Sequence, residues 1–135
     1  MKNVDVLSER YGVPKEDIFE FLLGQKNSIL PGGLWHAYGA VLTESEMICH
    51  TATEENDFHI PYSSFEKAEF GIGNGNLWLQ CQINGSFLAF CSPRKKWKSD
   101  AGKKLIEKIS AVTPIQDMKE YERYTGKLFF LYMFK

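Results

Sequence analysis

Cysteine is scarce in this chain and never arranged for metal or redox work. Cys49, Cys81 and Cys91 form no CxxC and leave one thiol over in any disulfide scheme. Reduced thiols in a cytoplasmic protein are the simplest expectation. An excess of one charge is also missing, with 16 Lys and Arg against 17 Asp and Glu and a net charge of -1 at pH 7. No bulk field draws the chain to nucleic acid or to an anionic membrane, so such binding would need a local patch. Long apolar runs are absent. The longest spans 128–134, far below the roughly 20 residues of a transmembrane helix. With Asp5 and Glu9 near the start, the N-terminus does not read as a signal peptide. No Ser, Cys or Lys nucleophile pairs with a base by spacing, and no carboxylate pair stands out. A non-enzymatic protein without a cofactor is the expectation.

What remains is a packed globular composition. The 135 residues are 44% hydrophobic and 14% aromatic, enough for one core and short for two. Near the N-terminus Val4, Leu7 and Tyr11 have helical spacing, and Gly12 suits the left-handed residue that ends a helix. Pro14 can open a second helix, with Ile18, Phe19, Phe21, Leu22 and Leu23 as its apolar surface and Gly24 as its stop. From Leu34 the period changes to two. Strands are expected over 34–42, 46–51, 58–62 and 65–72, with Thr43-Glu44-Ser45 as the first turn. Pro61 requires a sheet edge or a strand end.

The segment 77–91 is a hairpin with a readable register. Asn84-Gly85 is a two-residue loop whose positions both take positive φ. It pairs Ile83 with Ser86, Cys81 with Leu88 and Leu79 with Phe90. Leu77, Leu79, Cys81, Ile83, Leu88 and Phe90 then share one apolar face, the expected core. Trp78, Gln80, Gln82, Phe87, Ala89 and Cys91 share the other, a mixed face covered in part. Ser92-Pro93 has the form of an N-cap and first-turn proline, and Trp97, Ala101, Leu105, Ile109 and Val112 extend an amphipathic helix to about residue 111. Thr113 and Gln116 form a capping box around Pro114, predicting a last helix that Gly126 closes. Residues 127–134 end the chain as a strand or a packed tail.

Six strands in meander order followed by a long amphipathic helix resemble a pleckstrin-homology-like fold. Ala40-Val-Leu-Thr-Glu-Ser-Glu-Met-Ile48 resembles the first hairpin of bacterial PH-like and GRAM-like domains, and Ile60-Pro-Tyr-Ser-Ser-Phe65 resembles their strand-to-turn segment. The resemblance covers about residues 34–111. It implies an α+β protein with a mainly β core, a sandwich or partly open barrel of six to seven antiparallel strands. A full domain of that kind has seven, one more than the six read here. The single domain would then comprise an N-terminal helical extension (1–33), the core (34–111) and a C-terminal helix and tail (112–135). PH-like domains bind phosphoinositides, peptides or proteins on one scaffold, so the resemblance assigns no ligand.

The sharpest charged feature is Arg94-Lys95-Lys96-Trp97-Lys98, with Lys103 beyond it. It reads either as solvated charge at a helix start, with Trp97 buried on the stripe of Ala101 and Leu105, or as an anion site. In the second case Trp97 would be an interfacial anchor or a stacking ring. The resemblance puts phosphoinositide contacts in the first hairpin, where Glu44 and Glu46 would repel a phosphate. Cys49, His50 and His59 are candidate metal ligands across adjacent strands, but zinc takes about four, and ordinary strand residues are the preferred reading. His36 stands alone. Gly71-Ile-Gly73-Asn-Gly75 has the look of a dinucleotide loop, yet it joins two expected strands where such a loop needs a strand and a helix. The segment 7–18 resembles a helix-turn-helix, but its second helix would begin Lys15-Glu16-Asp17, net acidic, where DNA readers carry Arg, Lys, Asn or Gln.

These observations favour a binding module that takes a protein or peptide or associates with itself. The runner-up is an anionic-ligand or peripheral membrane module using Arg94, Lys95, Lys96, Lys98 and Lys103. Nucleic-acid binding through the N-terminal helix pair comes last. The run Leu128, Phe129, Phe130, Leu131, Tyr132, Met133, Phe134 would expose a large apolar surface, at about 25 cal/mol per Å² left in water. It is expected to lie against the sheet, extend an edge or pair with a second copy. Deleting the chain from Lys127 should lower solubility or thermal stability, or dissociate an oligomer seen by light scattering. A truncated protein unchanged in all three would rule this out.

Overall fold

Along the chain the elements are α1 (Asn3–Tyr11), β1 (Ile18–Gln25), β2 (His36–Leu42), β3 (Glu46–His50), β4 (Phe58–Pro61), β5 (Phe65–Gly73), β6 (Asn76–Ile83), β7 (Ser86–Pro93), α2 (Arg94–Trp97), α3 (Asp100–Ser110) and β8 (Ile115–Gln116). They are seen in a computed structural model that describes residues 2–25, 36–73 and 76–116. The strands form one curled sheet, a half-barrel, in the order β4-β3-β2-β1-β7-β6-β5-β8. Every pairing is antiparallel except β5 with β8.

The β6–β7 hairpin has the register its turn dictates. Asn84 and Gly85 take φ of 50° and 81°, and Ile83 faces Ser86, Cys81 faces Leu88 and Leu79 faces Phe90. Leu77, Leu79, Cys81, Ile83 and Phe90 are buried, and Leu88 packs half-buried against the same core. On the other face Trp78, Ala89 and Cys91 are buried and Gln80 and Gln82 half-buried, so that face is covered in part. Pro61 ends β4, an edge strand, where its missing N–H leaves no ladder bond unmade.

The largest departure from expectation lies at residues 18–25. The expected second helix is only a 3₁₀ turn at Lys15–Asp17, and the apolar segment after it is β1. Phe19, Phe21 and Leu23 point to the core, while Ile18 is buried on the opposite face against α1. A short apolar run fits either period, and tertiary pairing decides it. Here β1 has a partner on each edge, with Phe21 opposite Tyr38 of β2 and Leu23 opposite Phe90 of β7. The supposed N-terminal extension thus supplies a central strand. It is also the seventh antiparallel strand that the count of six lacked. A helix-turn-helix has no second helix here, and the nucleic-acid reading loses its element.

One face of the sheet and α2–α3 enclose the main core. Phe19, Met47, Leu79, Phe90, Trp97, Leu105 and Ile109 are among its buried members. A bulge at Phe65/Lys67 lets Phe65 and Ala68, three apart, face the same side. A smaller core forms where α1 covers β1–β3 from outside, burying Leu7 with Ile18, Val41 and Ile48. Gly39 permits that approach, since a Cβ there would stand 3.0 Å from Leu7 Cδ1. The two segments that carry the PH-like resemblance meet in space. The Tyr62 amide donates to the Ser45 carbonyl, and its buried hydroxyl donates to the Thr43 carbonyl at 3.0 Å.

The helical region departs from expectation in three places. Ser92 lies within β7 and donates its hydroxyl to the Glu20 carbonyl, so it is not a cap, and Pro93 stands directly before α2. The amphipathic stretch breaks at Lys98–Ser99, where the Ser99 hydroxyl caps α3 by accepting from the Gly102 amide. Gly102 lets the two helices meet there, for a Cβ would lie 2.5 Å from the Trp97 carbonyl oxygen. Thr113 caps no helix. Its hydroxyl donates to the Glu66 carbonyl, and Ile115 and Gln116 then pair with Ala68 and Glu69 of β5. Residues 117–135, including the rest of the expected last helix and the apolar run, lie outside the described residues. Among the described residues no helix is long and apolar enough to cross a membrane.

Trp97 is 2% exposed, with Phe19 at 4.7 Å and Phe70 at 5.4 Å between ring centroids, and its Nε1–H donates to the Leu77 carbonyl at 2.9 Å. Trp97→Ala should destabilise by about 3–5 kcal/mol in denaturant unfolding. Trp97→Phe, which keeps a ring but orphans the Leu77 carbonyl, should cost about 1–3 kcal/mol. Loss of well under 1 kcal/mol in both would remove the indole from the core.

Candidate functional site

The five basic residues singled out in the sequence do not converge on one point. α2 is a single turn, so Arg94 and Lys98 stand four residues apart on one side of it, and the break at Ser99 turns Lys103 on α3 toward them. These three border a groove of about 260 Å³ whose remaining lining is Phe70, Leu77, Trp97 and Ile106. Lys96 is turned away, its Nζ 2.9 Å from Glu20 Oε1. Lys95 is exposed and is not part of the groove lining. Trp97 is both core and groove, which unites the two readings of the basic cluster. Its N–H is used internally, so the groove meets ring carbon and not a donor.

Electrostatics set this groove apart. Arg10–Asp57, Lys15–Asp5, Lys96–Glu20 and Lys108–Glu44 are paired within 3.0 Å. Arg94, Lys98 and Lys103 have no carboxylate partner among the described residues. Three cations around an apolar floor favour a ligand that combines negative charge with an apolar group. The attraction is screened over about 8 Å at physiological salt. A second groove, of about 310 Å³, lies by Glu20, Leu22, Tyr38, Cys91 and Lys96. Its charged rim is the self-neutralised Glu20–Lys96 pair.

The candidate metal ligands separate by strand alternation. Cys49 faces the main core, its thiol pushed up by burial and then by the Asp57 charge. His50 faces the opposite side, and His59 on β4 lies 2.8 Å from Glu46 Oε1. Burial also pushes the Cys81 thiol up, so neither cysteine presents a thiolate at neutral pH. Gly71, Ile72 and Gly73 lie within β5 and pair antiparallel with β6, which does not suit a dinucleotide loop, and residues 74–75 lie outside the described residues. His36 begins β2.

Sequence reading passed over Asp57. Its side chain is 5% exposed, and both oxygens are engaged. Oδ2 accepts from Arg10 Nη1 and the Tyr11 hydroxyl, each at 2.7 Å, and Oδ1 lies 2.6 Å from His50 Nδ1. Burial alone would raise this carboxyl. The hydrogen bonds from Arg10, Tyr11 and His50 outweigh it and hold Asp57 below its ordinary value. Burial and the bond to Asp57 push the Tyr11 hydroxyl up. The cluster fastens α1 to the loop before β4. Nothing near position 57 in the sequence marks it, because its partners come from α1 and β3.

Counting β1 as the first strand also moves the acidic Thr43–Glu46 turn to the second hairpin of the sheet. Repulsion of a phosphate by Glu44 and Glu46 therefore concerns that turn alone. Residues 26–35, which join β1 to β2, lie outside the described residues. Comparison with protein-family models and with curated proteins finds no match to this chain.

Asp57 has a lowered folded-state pKa, so its contribution to stability is complete above the ordinary carboxylate range. That contribution is lost as pH falls through the folded value. Asp57→Asn should therefore destabilise by about 1–3 kcal/mol at neutral pH, and the gap to the parent should shrink below about pH 4. Melting curves across pH measure it, and a gap constant into acid would contradict the assignment.

Proposed function

We propose that this chain is a non-enzymatic, PH-like binding module whose recognition surface is the groove between α2, α3 and the β5–β6 end of the sheet. The observation that carries the reading is the convergence of Arg94, Lys98 and Lys103, unpaired among the described residues, on an apolar floor of Phe70, Leu77, Trp97 and Ile106. An anion with an apolar portion satisfies both parts of that surface at once, and neither salt alone nor hydrocarbon alone does so. Seven antiparallel strands, the meanders β1–β4 and β5–β7 joined through the β1–β7 pairing, with α2–α3 packed on them, support the PH-like reading. The buried cysteines Cys49, Cys81 and Cys91 suit the cytoplasm, where thiols stay reduced.

The membrane form of the anion reading has less support. Trp97, which would have been its interfacial anchor, is buried. The exposed large apolar residues among those described are Leu22 and Val112, and neither borders the groove.

The aromatic sulfonate dye anilinonaphthalene sulfonate, an amphipathic anion, tests the groove directly. Its fluorescence should rise on binding and fall as salt is added. The variant Arg94→Glu/Lys98→Glu/Lys103→Glu should bind about tenfold or more weakly, equal to about 1.4 kcal/mol, whereas Lys95→Glu should match the parent. All four positions are on the surface, so melting temperatures should stay close. Equal dye binding by the parent and the triple variant would overturn the assignment.

A further inference from the structure

We infer that the groove's occupant is an acidic protein segment that seats one aromatic or aliphatic side chain between Arg94, Lys98 and Lys103, an inference that rests on the groove reading above. Three observations select this occupant from other amphipathic anions. The first is size. At about 260 Å³ the groove falls just under the roughly 300–1,000 Å³ of pockets that enclose a whole small molecule. It suits a single buried anchor with its flanks outside, as at the centre of a protein interface.

The second observation is the spacing of charge. Arg94 and Lys98 are one helical turn apart on α2 and its C-cap, and Lys103 is on the next helix. Cations placed around the rim match several separate carboxylates better than one compact headgroup. The third concerns backbone donors. A phosphoryl group is held best where free amides at a helix start point at it. At α3 the Gly102 amide is taken by the Ser99 hydroxyl and the Lys103 amide by the Ser99 carbonyl. Asp100 stands in the first turn of that helix and opposes an anion there, so the groove's contacts to an anion come from flexible side-chain cations, which suit carboxylates.

A short peptide supplies the probe: acetyl-Glu-Asp-Phe-Asp-Glu amide, with one counterpart carrying Ala for Phe and another carrying Gln and Asn for Glu and Asp. Backbone amide shifts in NMR titration read the site. The parent peptide should shift amides of α2, α3 and β6. Replacing its Phe or its carboxylates should each weaken binding about tenfold, and so should Lys98→Gln/Lys103→Gln in the protein. Equal binding of the Phe and Ala peptides would overturn the anchor. Equal binding of the acidic and amide peptides would overturn the charge match. Cosedimentation with phosphatidylglycerol vesicles, without peptide binding, would assign the groove to a lipid surface and overturn the inference. Failure of the peptides while the dye still binds removes this occupant and leaves the groove standing. Failure of both removes the groove as well.

Discussion

Trp97 ties the central strand of the curled sheet to strands beyond its neighbour. Its ring packs against Phe19 of β1 and Phe70 of β5, and its N–H donates to the Leu77 carbonyl of β6. β1 and β5 are not neighbours in the sheet, since β7 and β6 lie between them. A large rigid aromatic is suited to bridging that distance, and its one polar atom must find an acceptor once buried. Holding Trp97 in this place fixes α2, and the close contact allowed by Gly102 then fixes α3 against it. The groove follows from that sequence of constraints, because Trp97, Phe70 and Leu77, which make this contact, also line its floor.

Charge is distributed according to what each group fastens. Asp57 is nearly enclosed and receives Arg10, Tyr11 and His50, so its burial is compensated by several bonds to one carboxylate. That arrangement ties α1 to β3 and to the loop before β4. Lys96 and Glu20 join α2 to β1, and Lys108 and Glu44 join α3 to the β2–β3 turn. Exposed pairs such as these add little stability individually. Lys95 and Lys104 also lack a carboxylate partner among the described residues, so what distinguishes Arg94, Lys98 and Lys103 is that all three border one groove.

Local signals were legible wherever backbone chemistry left one choice. Asn84-Gly85 demanded a tight hairpin, and its register then placed five of six expected core residues in full burial. Gly12 ends α1 with φ 67°, and Pro61 sits on an edge. Residues 18–25 were not legible, for Phe19, Phe21 and Leu23 satisfy a strand while the whole run also satisfies one face of a helix. At Thr113 a local capping pattern lost to a longer-range bond with Glu66 and a short pairing with β5. Ser92 and Ser99 show the same competition, since each precedes a helix, but the Ser92 hydroxyl is engaged by the Glu20 carbonyl of a distant strand and only Ser99 caps.

By itself the sequence determined a mainly β protein with few and scattered cysteines, an amphipathic helical segment and a basic cluster at its start. These follow from composition, from turn residues with narrow backbone preferences and from alternation, all of which act over a few residues. The tertiary structure decided which basic side chains act together. Arg94, Lys98 and Lys103 gather because the helix breaks at Ser99 and folds back, while Lys96 is drawn to Glu20 on a strand 76 residues away. It also brought Phe70, Leu77 and Ile106 to the same place, from two strands and a helix. Such convergence depends on packing between segments distant in the chain, and no local pattern encodes it.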